Sequence, residues 1–298
     1  MGGIDWLQQG QSHDAVLVTN KKNNYQMDFG AALNNNNEAL YESAYVTNYK
    51  NMQFIWFNQK FSKLSLSFLA LNNGYQYENL VENKFQVAYL QTIGTYGKWD
   101  ASKFYGDFGL YAQTGEAAIT NDKVDVGAYY AGFNLGYKFT NPFKAELGFE
   151  YLSGKDQNDT DTKVKSFTPL FGTNHGFNGL MDYFYVGNHK NSVGLQDFYT
   201  KFIYDKNKWQ VTLSPHLFYS AASVYNMTTL EEQDSYWGTE IDLTATYKLD
   251  KNFVISGGVS KMFDSNTMEI LKGGNNSNGN NWAWVMISFN PQLFTYKK

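Results

Sequence analysis

Tyr236-Trp237-Gly238-Thr239-Glu240-Ile241-Asp242-Leu243-Thr244-Ala245-Thr246-Tyr247-Lys248-Leu249 reads as one strand with two unlike faces. Ile241, Leu243, Ala245, Tyr247 and Leu249 lie on one side, and Glu240, Asp242, Thr244, Thr246 and Lys248 on the other. Successive side chains of a strand point to opposite faces, so this alternation marks a sheet that is apolar on one side only. The same period recurs along the chain. Trp209, Val211, Leu213, Pro215, Leu217 and Tyr219 alternate with Gln210, Thr212, Ser214 and His216; Ala145, Leu147, Phe149 and Tyr151 alternate with Lys144, Glu146, Gly148 and Glu150. Leu64, Leu66 and Phe68, and Tyr25, Met27 and Phe29, repeat it again. About thirteen such segments of roughly 8–16 residues can be marked, longer than the usual globular strand, and none of that length reads as a helix.

The connections alternate as well. Short polar turns are expected near Asn20–Asn24, Lys60–Lys63, Gly97–Lys103, Phe139–Phe143, Asp205–Lys208 and Lys248–Asn252. Longer connections are expected near Asn34–Tyr49, Asn72–Lys84, Gly115–Lys123, Gly154–Gln196, Ala221–Ser235 and Asp264–Asn280. Short and long links in turn are the layout of an up-and-down meander with its tight turns at one end, as in transmembrane barrels of the bacterial outer membrane. Aromatic-then-lysine pairs at several turns, such as Tyr137-Lys138 and Tyr247-Lys248, suit an interfacial belt with snorkelling amines. The expected fold is therefore all-β: an antiparallel up-and-down transmembrane β-barrel forming one domain over residues 1–298. Its apolar face meets lipid and its polar face lines a wet interior.

Composition excludes the main alternatives. Of 298 residues, 43% are hydrophobic and 18% aromatic, yet only 17% are charged, against about 25% in an ordinary soluble domain. The mean hydropathy is -0.48, and no run approaches the roughly 20 apolar residues of a transmembrane helix. Cysteine is absent, which removes disulfides, thiolate metal sites and cysteine nucleophiles. The net charge is -4 and all 24 bases are lysine, a poor match to a nucleic-acid binder. Met1–Trp6 has neither the basic n-region nor the apolar h-region of a signal peptide.

The segment from Gly154 to Gln196 is too rich in Phe, Tyr, Leu and Met for a solvent loop. Residues 155–196 are expected to fold inward and narrow or roof the lumen, with Phe171, Asn174, His175, Phe177, Asn178, Asp182 and Tyr183 among the residues presented there. A catalytic reading of Asn174, His175 and Asp182 lacks any accompanying Gly-x-Ser-x-Gly motif. His175 and His189 are fourteen apart, which matches no common metal-ligand spacing. Neither an enzyme nor a cofactor is expected. By strand parity, Asp107, Lys144, Glu146, Glu150, His216, Glu240, Asp242 and Thr244 are expected to line the pore.

Two stretches carry a family resemblance: Ser166–Tyr185, with its Gly172-Thr173-Asn174-His175-Gly176-Phe177-Asn178-Gly179-Leu180-Met181-Asp182 run, and Gly2–Asp14. With Glu150-Tyr151-Leu152-Ser153-Gly154-Lys155-Asp156-Gln157 and the late Lys272-Gly273-Gly274 and Trp282-Ala283-Trp284, the chain resembles the alginate-export family of outer-membrane barrels in its Bacteroidetes form. The resemblance implies a porin-like barrel, with outer-membrane lipid around it, that passes a polysaccharide or other hydrophilic solute. It also leaves room for a barrel that anchors other envelope proteins. Two departures stand out. Best-known members use an arginine-rich constriction, and this chain has no arginine, so no guanidinium ring selecting carboxylates can form. Gly2–Asp14 also resembles an interior stretch of the family. Together with the parity of the links, this leads to the expectation that the chain is the C-terminal part of a barrel of roughly eighteen strands, with unpaired edges at its first and last strands.

Overall fold

The computed structural model describes residues 13–34, 49–171, 178–184, 189, 191–275, 277–291 and 294. Among them, thirteen strands form one antiparallel sheet in chain order, each hydrogen-bonded to its neighbours in sequence. They are β1 (Ala15–Lys22), β2 (Tyr25–Leu33), β3 (Asn51–Lys60), β4 (Leu64–Asn79), β5 (Lys84–Ala101), β6 (Phe104–Ala118), β7 (Lys123–Lys138), β8 (Phe143–Leu152), β9 (Leu195–Lys206), β10 (Trp209–Tyr219), β11 (Tyr236–Lys248), β12 (Phe253–Asp264) and β13 (Asn280–Phe289). β1 and β13 do not pair with each other, and each has a single strand neighbour. The sheet nevertheless curls, since Leu17 of β1 and Tyr199 of β9 line the same cavity.

The register assigns every side chain to a face. Leu243 of β11 is opposite Leu213 of β10 and Val259 of β12, and Phe149 of β8 is opposite Phe133 and Phe198. These belong to the outer face, where Leu147 is 61% and Leu243 is 42% exposed. Large outer side chains run unbroken from Phe29 and Ile55 to Val285 and Ile287, far beyond the apolar patches a soluble monomer presents to water. The belt has aromatic borders. Near the tight turns, Phe104 packs on Tyr137, Phe143 on Tyr204 and Trp209 on Tyr247, at ring separations of 4.9, 5.4 and 4.7 Å. At the other border Tyr129 stacks on Tyr151 at 5.5 Å. Tyr129 and Tyr137 stand eight residues apart on β7, so that Tyr129 to Tyr137 counts nine residues, the lower end of the roughly 9–11 in a tilted membrane-spanning strand.

Two connections expected to be long are in fact hairpins. β4 and β5 continue to a four-residue turn at Leu80–Asn83, and β6 and β7 to one at Ile119–Asp122. Sequence polarity at these places reflects strand that continues beyond the apolar belt. Outward amides there bond across strands: Asn72 donates to Gln53 and Gln91 donates to Asn72, both at 2.8 Å. The Asn79 side chain accepts from the Val81 and Glu82 amides, which closes the turn. The Asp264–Asn280 connection holds one short helix, α1 (Asn266–Lys272), capped by the Ser265 hydroxyl.

The core lies on the inner side, between the sheet and its long connections. A bulge between Phe218 and Tyr219 leaves Trp237 without an opposite residue. Trp237 packs there on Phe184, which also meets Phe218 at 4.5 Å. Met268 of α1 joins the same cluster. One consequence is testable. Leu243→Lys is expected to cost about 2–4 kcal/mol of folding stability in lipid vesicles, as for a mid-bilayer cation on a barrel, whereas Thr244→Lys, on the inner face, should cost far less. Denaturant titrations of the two refolded variants decide it; equal losses would show that the outer face does not meet lipid.

Candidate functional site

The inner face is acidic and aromatic. Register alone places Asp107 on β6, Glu146 and Glu150 on β8, His216 on β10, and Glu240, Asp242 and Thr244 on β11, all on this side. Lys144 shares it near the tight-turn end, 3.6 Å from the Asp205 carboxylate. Glu146 accepts from the Tyr105 hydroxyl at 2.8 Å, and the Asn134 amide lies 3.5 Å from both Glu146 and Asp107.

Above these, the connection between β8 and β9 packs against the wall through three carboxyl groups. Asn178 donates to Glu150 at 2.9 Å and to Asp197 at 3.2 Å. The Leu180 and Met181 amides both donate to Glu240 Oε1, at 2.6 and 2.9 Å. Gly179 makes the approach possible. Its φ is +85°, and a Cβ there would stand 2.7 Å from the Glu240 carboxyl group, so only glycine fits. Asp197 is further held by His216, whose Nδ1 lies 3.0 Å from each of its oxygens, while His216 Nε2 is 3.9 Å from Asp242. Upstream, Phe167 packs on Tyr130, and the Gln113 side chain both donates to the Thr168 carbonyl and accepts from its amide.

Glu240 and Asp242 were expected to be wet, and they are not: their exposures are 0% and 2%. The Leu180 and Met181 amides donate to Glu240, and such hydrogen bonds offset part of the cost of burying a carboxyl group. Phe171 packs on His13 and Tyr49 at 5.5 and 5.8 Å, and Tyr183 lies beside Phe184. Asp182 sits in the left-handed region, with φ of 59°. Asn174, His175 and Phe177 fall outside the described residues. Among the described residues no group of three acidic or imidazole side chains is arranged to hold a metal ion.

Sequence reading missed Asp197, Tyr130 and Tyr199. The signal was present for two of them, since Asp197 and Tyr199 share parity with Lys201 on β9. Alternation had assigned aromatics to the outer face. Inside, several rings lie across glycines of adjacent strands: Phe54 over Gly30, Tyr105 over Gly136, Tyr111 over Gly94 and Tyr199 over Gly148. Each ring fills the space that a Cβ would take, the aromatic rescue that lets glycine persist in a sheet. The wall is thereby paved with ring faces. Phe54, Tyr111 and Tyr199, with Trp56, Tyr130 and the covering segment, line a cavity of about 730 Å3.

Two outcomes follow. Glu240→Ala leaves two half-buried amides without this acceptor, at about 1 kcal/mol for each; faster hydrogen exchange at Leu180 and Met181 is expected, and unchanged exchange would show that the contact does not hold the segment. Burial also pushes the His189 imidazole down to about 4, while its Nε2 meets the Phe184 carbonyl at 2.9 Å. The unfolded segment then binds more protons than the folded one between pH 6.5 and about 4, so its stability is full above that window and falls as pH drops through it. Exchange around Phe184, corrected for intrinsic rate, should rise across the window in the native protein and stay flat in His189→Gln. Equal protection at pH 7 and pH 4.5 in the native protein would refute this.

No family model matches the chain, so the alginate-export resemblance has no support from that quarter. No curated protein matches it either. Among solved structures, the copper transporter OprC is 12% identical with a TM-score of 0.39, over 86% of this chain and 46% of that one. The toluene transporter TbuX of Ralstonia pickettii is 11% identical with a TM-score of 0.31, over 85% of this chain and 76% of that one. This chain therefore spans less than half the length of OprC, and at such scores the likeness carries nothing about function.

Proposed function

We propose that this chain is a channel of the bacterial outer membrane that lets a hydrophilic solute cross between two rows of tight and extended turns. The observation that carries this reading is the division of one continuous sheet into two surfaces. Outside is an apolar belt bordered by aromatics; inside, Asp107, Glu146, Glu150, Asp197, Glu240 and Asp242 share the wall. Polar lumens with apolar exteriors are the build of water-filled barrels. A polysaccharide remains within this reading. An anionic one does not, because rings of carboxylates favour cations in a pore.

A second reading has its own support. The contacts of Asn178, Leu180 and Met181 with Glu150, Asp197 and Glu240 hold a segment across the wall, as they would in a non-conducting barrel that anchors a larger envelope assembly. Planar-bilayer recording separates the two. The channel reading expects discrete conductance steps and, in a salt gradient, a reversal potential on the cation side. A protein that inserts but passes no current is the anchor, and a marked chloride preference would mean that lysines control the constriction.

A further inference from the structure

The 730 Å3 cavity has a chemistry of its own. Trp56, Tyr96, Tyr111, Tyr130, Phe167 and Tyr199 supply rings to its lining, Leu69, Leu71 and Leu152 supply aliphatic wall, and Asp28, Asp107 and Glu150 supply acid. Among the described lining residues there is no lysine, and the chain has no arginine. The size and the mainly apolar lining with a few convergent polar groups are those of a small-molecule site. We propose that it binds an organic cation carrying an aromatic or alkyl body.

Three observations select that class. First, Phe54, Tyr111, Tyr130 and Tyr199, which lie over glycines, all line the cavity, and the π face of an aromatic ring attracts an ammonium group. Second, the inner wall already makes this contact with its own side chains: Lys201 Nζ lies 5.1 Å from the centre of the Tyr199 ring, and Lys138 Nζ lies 5.2 Å from that of Tyr105. Third, the charge is unbalanced. Asp28 accepts from the Gln26 amide at 2.9 Å, Glu150 accepts from Asn178, and Asp107 has the Asn134 amide at 3.5 Å and Lys98 opposite it in register. Amides satisfy lone pairs without neutralising charge, and the neighbouring bases, Lys98 opposite Asp107 and Lys201 on β9, are two against three lining acids and are not themselves among the lining residues. A carboxylate or sulfate ligand would be repelled. A neutral sugar would find its hydrogen-bonding partners already engaged with one another and several leucines in its place. An ammonium group with an apolar body satisfies the rings, the acids and the leucines together.

This inference deepens the channel reading, but it stands or falls on binding and not on current. The test is calorimetry on the whole chain in lipid nanodiscs, with empty nanodiscs as baseline and benzyltrimethylammonium as probe, against benzyl alcohol, benzoate and cellobiose. The cation is expected to bind at least tenfold more tightly than benzyl alcohol, and benzoate more weakly than either. Asp28→Asn combined with Asp107→Asn should lower cation affinity at least tenfold and leave benzyl alcohol unchanged, which also shows that the cavity is still formed. Trp56→Leu should weaken binding of both benzyltrimethylammonium and benzyl alcohol. Cation binding no tighter than that of benzoate or cellobiose, no cation binding at all, or binding indifferent to the two aspartates would overturn the inference. Cation binding in a protein that passes no current would instead retire the channel reading and leave this site standing.

Discussion

A β-strand spends its backbone hydrogen bonds sideways and its side chains up and down, and every other feature of this protein depends on that separation. Because each of β2 to β12 pairs with both of its sequence neighbours, the main chain of these strands needs little from its surroundings over the length of the apolar belt, and only the outer edges of β1 and β13 are left without a strand partner. That independence is what hydrocarbon demands of a spanning segment. It also frees the two faces to meet different solvents, so Leu243 can be exposed while its neighbours Asp242 and Thr244 point the other way. A slip of one residue in any strand would exchange the two.

The inner face carries the less ordinary physics. Acids at Glu150, Asp197, Glu240 and Asp242 share the inner face of β8, β9 and β11, and burying them unassisted would be costly. The connection between β8 and β9 supplies part of the answer through one side-chain amide and two backbone amides. Wall and segment are thus mutually dependent: the acids anchor the segment, and the segment furnishes donors for the acids. Phe184, held between Phe218 and Trp237, gives the same segment an apolar anchor. Glycines complete the arrangement by giving rings room to lie flat, which turns a polar wall into one that is acidic and aromatic at once.

Alternation in Tyr236–Leu249 and its counterparts, read without coordinates, suffices to separate the faces and to place Glu146, Glu150, His216, Glu240 and Asp242 on one side, because period two is a property of a single strand and needs no partner. The links at Asn20–Asn24, Lys60–Lys63 and Asp205–Lys208 are legible for the same reason: turns are local. Extended hairpins at Leu80–Asn83 and Ile119–Asp122 were not legible, since Asn and Gln read as loop until the cross-strand ladder of Gln53, Asn72 and Gln91 is seen.

What the sequence by itself determined is the strand-rich class, the two-faced pattern, and the chemical kind of residue on each face. What only the tertiary structure decided is which of those residues meet. Asn178 reaches Glu150 and Asp197 across gaps of 28 and 19 residues, and Glu240 receives amides from 60 and 59 residues away. Burial of Glu240 and Asp242, the flat rings and the cavity between them all follow from such contacts. Composition and period record a strand's own geometry, whereas the curl of the sheet and the path of a long connection are set by packing between distant elements, and that information is not local to any stretch of chain.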